Sequence, residues 1–196
     1  DEMGATLQTI AKDVKIQVEF NPAHVAAYRL VGYESRLLAA ADFADDKKDA
    51  GELGAGHTVT ALYEVIPRGV DSPELAGLGI PLRYQRQELS RGRSDELLTV
   101  KLRYKQPDAD TSKLLTRAVR LRDVRAECSD CFRFSAAVAL FGMLLRDSVD
   151  VGEATVDAAL ELARSALGDD SHGYRRQFVD MVELYGSKGA EKKRWL

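Results

Sequence analysis

The stretch Asp49–Ile66, DAGELGAGHTVTALYEVI, decides how this chain is read. Its first half carries Gly51, Gly54 and Gly56, a density of glycine that reads as a turn. From His57 the pattern alternates and is rich in β-branched and aromatic residues. Val59, Ala61, Tyr63 and Val65 fall on one face, and Thr58, Thr60, Leu62, Glu64 and Ile66 on the other. Pro67 lacks a backbone donor and closes the strand. The expectation is a glycine turn over 51–56 and a strand over 57–66.

Upstream, Asp13–Phe20 (DVKIQVEF) alternates Val14, Ile16, Val18 and Phe20 with Lys15, Gln17 and Glu19. That predicts a half-buried strand, apolar side inward and charged side outward. Asn21-Pro22 breaks it, and Val25–Tyr33 is a second strand candidate. Ser35–Phe43 reads as one or two helical turns, and Asp42–Glu52 as an exposed acidic loop. Downstream, Arg68–Ser94 is poorly patterned, with one short strand expected near Leu82–Gln87. Alternation returns at Leu97–Lys105. Gln106–Ser112 is a turn, and Leu114–Leu121 returns to make a hairpin.

After Arg122 the period changes from two to 3.6. Ser129 or Asp130 can cap a helix over Cys131–Arg146 with Phe134, Val138, Phe141 and Leu145 as its stripe. A second helix follows Gly152-Glu153, with Val156, Leu160, Ala163 and Leu167 aligned and Gly168 as its stop. A third starts at Ser171, carries Phe178, Val182 and Tyr185, and is expected to end at Gly186. Strands first and helices after define the α+β class. The predicted architecture is an antiparallel β-sandwich-like region over 13–122, then a three-helix region within 123–196.

The chain opens at Asp1 in a segment whose Met3, Leu7, Ile10 and Val14 fall at helical spacing, so residues 1–12 read as a helix end and the chain as a piece of a longer product. A net charge of −3 gives no support to a general nucleic-acid-binding surface. No apolar run approaches the roughly 20 residues of a membrane helix.

Ile10–Pro22 (IAKDVKIQVEFNP), Tyr28–Arg36 (YRLVGYESR), Asp49–Val65, Leu98–Ser112 and Phe132–Ser148 (FRFSAAVALFGMLLRDS) resemble one family in the same order. It comprises bacterial proteins that join a von Willebrand factor type A domain to a C-terminal domain of unknown function. The resemblance implies that residues 1–12 are the tail of the last A-domain helix. It also implies a cell-envelope protein, periplasmic or extracellular, lipid-anchored through a far N-terminus, whose A domain binds a divalent cation and protein partners; no activity of the C-terminal domain is transferred. The Asp-x-Ser-x-Ser metal motif of such A domains does not occur. The nearest string, Asp169-Asp170-Ser171-His172-Gly173, fails at its last position, so no metal residue is transferred.

Cys128-x-x-Cys131 at a helix start is compatible with a redox pair or half a zinc site. Zinc would need two further ligands, and His24, His57 and His172 lack ligand spacing, so a disulfide or two inert thiols is the plainer reading. Asp42, Asp45, Asp46, Asp49 and Glu52 lack calcium-loop spacing because Lys47 and Lys48 interrupt them. Gly51, Gly54 and Gly56 precede a strand, not the helix of a phosphate loop. His57 has no serine elbow to complete a triad. Arg83, Arg86, Arg91 and Arg93 around Tyr84 form a basic stretch diluted by Glu88, Asp95 and Glu96. No catalytic, cofactor or metal residue is assigned. The expected function is a non-catalytic protein-interaction or scaffold module, with a homodimer through an open sheet edge as one arrangement. The alternatives are an enzyme using Cys128 and Cys131 or clustered carboxylates, and a carbohydrate binder presenting Tyr28, Tyr33, Tyr63 and Tyr104.

Overall fold

The computed structural model describes residues 8–32, 38, 40–71 and 95–193. The chain divides into two compact units, Asp1–Val124 and Arg125–Leu196. Among the described residues the first holds antiparallel sheets of four and two strands and the second holds three helices, which is the α+β arrangement expected.

The larger sheet is built on β1 (Thr9–Phe20), which pairs with β3 (Gly51–Gly54) on one side and β5 (Glu96–Lys105) on the other. Strand β6 (Lys113–Arg120) folds back on β5, with Tyr104 opposite Lys113, giving the order β3-β1-β5-β6. Strands β2 (Val25–Val31) and β4 (Leu62–Pro67) form the smaller sheet. The corner after β1 is made by Asn21. Its Oδ1 accepts the Ala23 amide at 2.9 Å, an Asx turn, and its Nδ2 donates to the Glu96 carbonyl at 2.6 Å. The two sheets meet through Phe20, whose ring lies 4.4 Å from Tyr28 and 5.5 Å edge-on from Tyr63, centroid to centroid.

Three expectations change here. Residues 9–12 are strand, not helix, and Ile10 stands on β1 with 46% exposure. A bulge explains why the alternation was legible only from Asp13. Asp13 sits at φ 52°, a region short polar side chains tolerate, and the register slips between Lys12 and Lys15. The glycine half of the opening stretch is not a turn throughout: Gly51–Gly54 pairs with β1, and the turn is left to Ala55 and Gly56 (φ 79°). The strand expected from His57 begins only at Leu62, because its register is set by pairing with β2, where Val31 faces Leu62. A 3-10 turn occupies Ala40–Phe43 at the end of the helical segment anticipated over 35–43. The short strand anticipated near 82–87 lies outside the described residues.

In the second unit, α1 (Asp130–Leu145) is capped by Ser129, whose Oγ accepts the Phe132 amide at 3.2 Å. Thr155 caps α2 (Val156–Arg164) in the same way. The carboxylate of Asp170 caps α3 (Tyr174–Lys193) by accepting the amides of Arg175 and Arg176, and these bonds hold it below the usual carboxylate range. The core consists of Ala137, Phe141, Ala159, Leu160, Ala163, Val179 and Val182. Three alanines with no exposed surface let the backbones approach, and Phe141 fills the space between, edge-on to Phe178 and Tyr185. The α1 stripe is thus rotated from the one anticipated: Ala137 is buried while Val138 and Leu145 are 42% and 50% exposed. A count of large apolar residues overlooks the small ones at the closest approach. Gly186 does not stop α3. It lies inside the helix, where an added Cβ would sit 3.4 Å from Val156 Cγ1.

Candidate functional site

The register of β1, β5 and β6 gives the larger sheet two unlike faces. On one, Ile16 is opposite Leu102 and Leu102 is opposite Leu115, a row of three aliphatic side chains across three strands. Val18–Val100 and Phe20–Leu98 continue that face toward the smaller sheet. Phe20 is buried beneath Tyr28 and Tyr63 at that end. At the other end Ile16 keeps 50% and Leu115 54% of its surface exposed. The sequence predicted that Ile16 points into a core, but among the described residues this face is covered at one end only. Beyond Leu115 the sheet ends at β6, which among the described residues has β5 on one side and no strand on the other. Its sequence, KLLTRAVR, carries Lys113, Arg117 and Arg120 and no acid, and Leu114 is 48% exposed.

The opposite face is charged, and its β1 end is closed. Lys15, anticipated as an outward residue, is 5% exposed. Its ammonium donates to the carbonyls of Asp42 (3.2 Å) and Asp45 (2.5 Å). Lys105 donates to Asp13 Oδ2 and to the Asp46 carbonyl, both at 2.8 Å, and the Ala50 amide donates to Asp13 Oδ1 at 3.1 Å. The Lys105 hydrogen bond, then the Ala50 amide, hold Asp13 below its ordinary range, and the same bond raises Lys105. Asp46 accepts from Ser112, which lowers it too, and the Arg103 guanidinium donates to Ser112 Oγ and lies 5.6 Å over the Phe43 ring. The acidic run is therefore not a free solvated loop. Residues 42–50 are strapped to the sheet through their carbonyls and Asp46, while the Asp42 carboxylate faces Lys48 at 3.6 Å. An Asp inside an alternating strand was the available signal, since Asp is disfavoured there and marks a bulge. Nothing in the pattern named the loop that would cover Lys15.

Cys128 and Cys131 are both free and exposed at the N-terminus of α1. Two arginines brace this corner. Arg133 donates to the Cys128 carbonyl, to Asp130 and to the Ser165 carbonyl. Arg175 donates to Cys131 Sγ at 3.3 Å and to the Ala166 carbonyl at 2.6 Å, and stacks 5.0 Å over Phe134.

His172 meets Ser171 Oγ at 3.1 Å and Tyr174, and His57 lies in the exposed segment before β4. Among the described residues no group of three or more His, Cys, Asp or Glu side chains is arranged to hold a metal ion. Tyr28 and Tyr63 are engaged with Phe20, and burial, with Tyr28 adding, pushes the Tyr63 phenol up. Tyr33, Arg83, Arg86, Arg91 and Arg93 lie outside the described residues. No described helix is long and apolar enough to cross a membrane.

Residues 5–187 match the profile described as the C-terminal region of the uncharacterized protein YfbK. The chain belongs to this family. The uncharacterized protein YfbK of Escherichia coli (strain K12) is 37% identical over 185 residues, which cover 93% of this chain and 31% of that relative. The chain thus spans about a third of the relative's length. No solved structure matches. The YfbK C-terminal match runs through both units, so the half-covered sheet and the arginine-braced corner both lie within the family region.

Proposed function

We propose that this region is a non-catalytic protein-binding module of a longer polypeptide, and that its contact is the Ile16–Leu102–Leu115 row with the adjoining edge of β6. The observation that carries this reading is the exposure of Ile16 and Leu115 at 50% and 54% at the open end of a face whose other end is packed beneath Tyr28 and Tyr63. Covering the exposed half of each adds roughly 1 kcal/mol per side chain, from the 1.5–3 kcal/mol of full burial. The unpaired edge adds main-chain hydrogen bonds to an extended partner. Lys113 and Arg117 select an acidic one. A second copy is a poor occupant: antiparallel self-pairing of β6 about its centre sets Lys113 against Arg120. The resemblance to von Willebrand factor type A proteins supports an upstream A domain and a place in the cell envelope; fractionation of cells expressing the full polypeptide tests the latter.

The double variant Ile16→Glu, Leu115→Glu, in the full-length polypeptide, tests the contact. The proteins that co-purify with wild type are expected to disappear. Lys101→Glu, on the opposite face, is expected to retain them. Retention by the double variant, or equal loss in Lys101→Glu, removes the assignment.

A further inference from the structure

The second unit holds a feature the interaction face does not use. Cys128 and Cys131 stand three residues apart where the chain enters α1, a spacing at which one turn can bring two Cα atoms within the roughly 4.4–6.8 Å that a disulfide spans. Both are exposed, so a thiol reagent in solution reaches them. They differ in surroundings. The Arg175 guanidinium donates to Cys131 Sγ at 3.3 Å, which places a fixed positive charge beside the sulfur that must carry negative charge when it attacks. That guanidinium is held in place by the Ala166 carbonyl and the Phe134 ring. Cys128 instead has its backbone carbonyl held by Arg133, which fixes the chain three positions before Cys131.

We propose that Cys128 and Cys131 form a reversible intramolecular disulfide by exchange with an external disulfide, Cys131 attacking and Cys128 resolving. The Cys131 thiolate attacks one sulfur of the oxidant, a mixed disulfide forms at Sγ of Cys131, and the first external thiolate leaves. The Cys128 thiolate then attacks Sγ of Cys131, the internal bond forms, and the second external thiolate leaves. Two electrons pass from the protein dithiol to the oxidant, and two protons leave the cysteines. The reduced pair keeps the Arg175–Cys131 hydrogen bond; in the disulfide Sγ is a weaker acceptor and most of that bond is lost. The state of the pair is thereby tied to the first turn of α3, where Arg175 stands.

The test is equilibration of the full chain with reduced and oxidised glutathione, followed by acid quench, alkylation and peptide mass mapping. The expected product is one peptide linkage between Cys128 and Cys131, reversible by reduced glutathione. Cys128→Ser is expected to stop at a glutathione adduct on Cys131. Under limiting iodoacetamide, wild-type Cys131 is expected to alkylate faster than Cys128. Arg175→Gln is expected to slow Cys131 by about three- to tenfold and leave Cys128 unchanged, with Arg175→Lys restoring much of the rate. A circular-dichroism melt of each variant separates this from unfolding. Absence of the internal disulfide across the glutathione range, or formation of only intermolecular dimers, overturns the proposal. Equal alkylation of the two cysteines that Arg175→Gln does not alter overturns the assignment of Cys131 as the attacking sulfur.

Discussion

Replacing Lys15 by Met removes the ammonium that straps residues 42–50 to β1 while keeping most of the side chain's volume. Hydrogen bonds to a charged group contribute about 1.5–3 kcal/mol each, and Lys15 makes two, to the carbonyls of Asp42 and Asp45. Against that loss, a buried Met has no charge to desolvate, and replacing buried charges by apolar side chains is often neutral for the whole fold. The deciding point is where the stranded carbonyls lie. Asp42 is half-buried and Asp45 exposed, so both regain water once the loop lifts. The cost therefore falls on loop closure, at about 2 kcal/mol, and not on global unfolding. Amide hydrogen exchange reads this directly. The Ala50 and Ser112 amides, bonded to Asp13 and Asp46, should exchange about 30-fold faster at that cost, with β5–β6 ladder amides unchanged. Unchanged exchange at Ala50 and Ser112 would refute the strap. An equal rise along the ladder would make Lys15 part of the fold's general support.

Three further outcomes follow from the geometry. Acidification should weaken the fold through Asp13, Asp46 and Asp170, all of which titrate below their unfolded value. Their contribution is present above the ordinary carboxylate pKa of about 4 and is lost as pH falls through the lowered values, which a pH series of urea melts follows; Asp13→Asn should flatten that loss. Gly186→Ala should raise stability by about 0.5–1 kcal/mol, because the helix gains propensity and the new methyl meets Val156 Cγ1 at an ordinary 3.4 Å, whereas Gly186→Leu should lower it by about 1–3 kcal/mol; thermal melts distinguish the two. Phe141→Ala should cost about 3–5 kcal/mol in chemical unfolding monitored by helix signal, since it empties the centre of the helical core.

The order of elements and the change of period near Arg122 were legible because each depends on local repetition. The hairpin of β5 and β6, the Ser129 cap and the strand near Val25 needed only neighbouring residues. What could not be read depends on pairing between distant segments. Gly51–Gly54 becomes a strand because β1 offers it an edge, against the preference of glycine. Lys15 is buried because loop residues 27 and 30 positions away turn their carbonyls to it. Ile16 follows the alternation faithfully and yet is half-exposed, because alternation reports which residues share a face and says nothing of what covers it. The Cys128–Cys131 spacing was visible in the chain, but Arg175, 44 residues beyond Cys131, was not.

The central claim is that the Ile16–Leu102–Leu115 face meets another protein segment. The most direct measurement places a photo-crosslinking amino acid at Leu115 in the full-length polypeptide, and in a parallel sample at Lys101 on the opposite face. Irradiation in cells should give a discrete adduct from position 115, mapping to an extended acidic segment, and none from position 101. Indistinguishable crosslinking patterns from the two positions would contradict the claim.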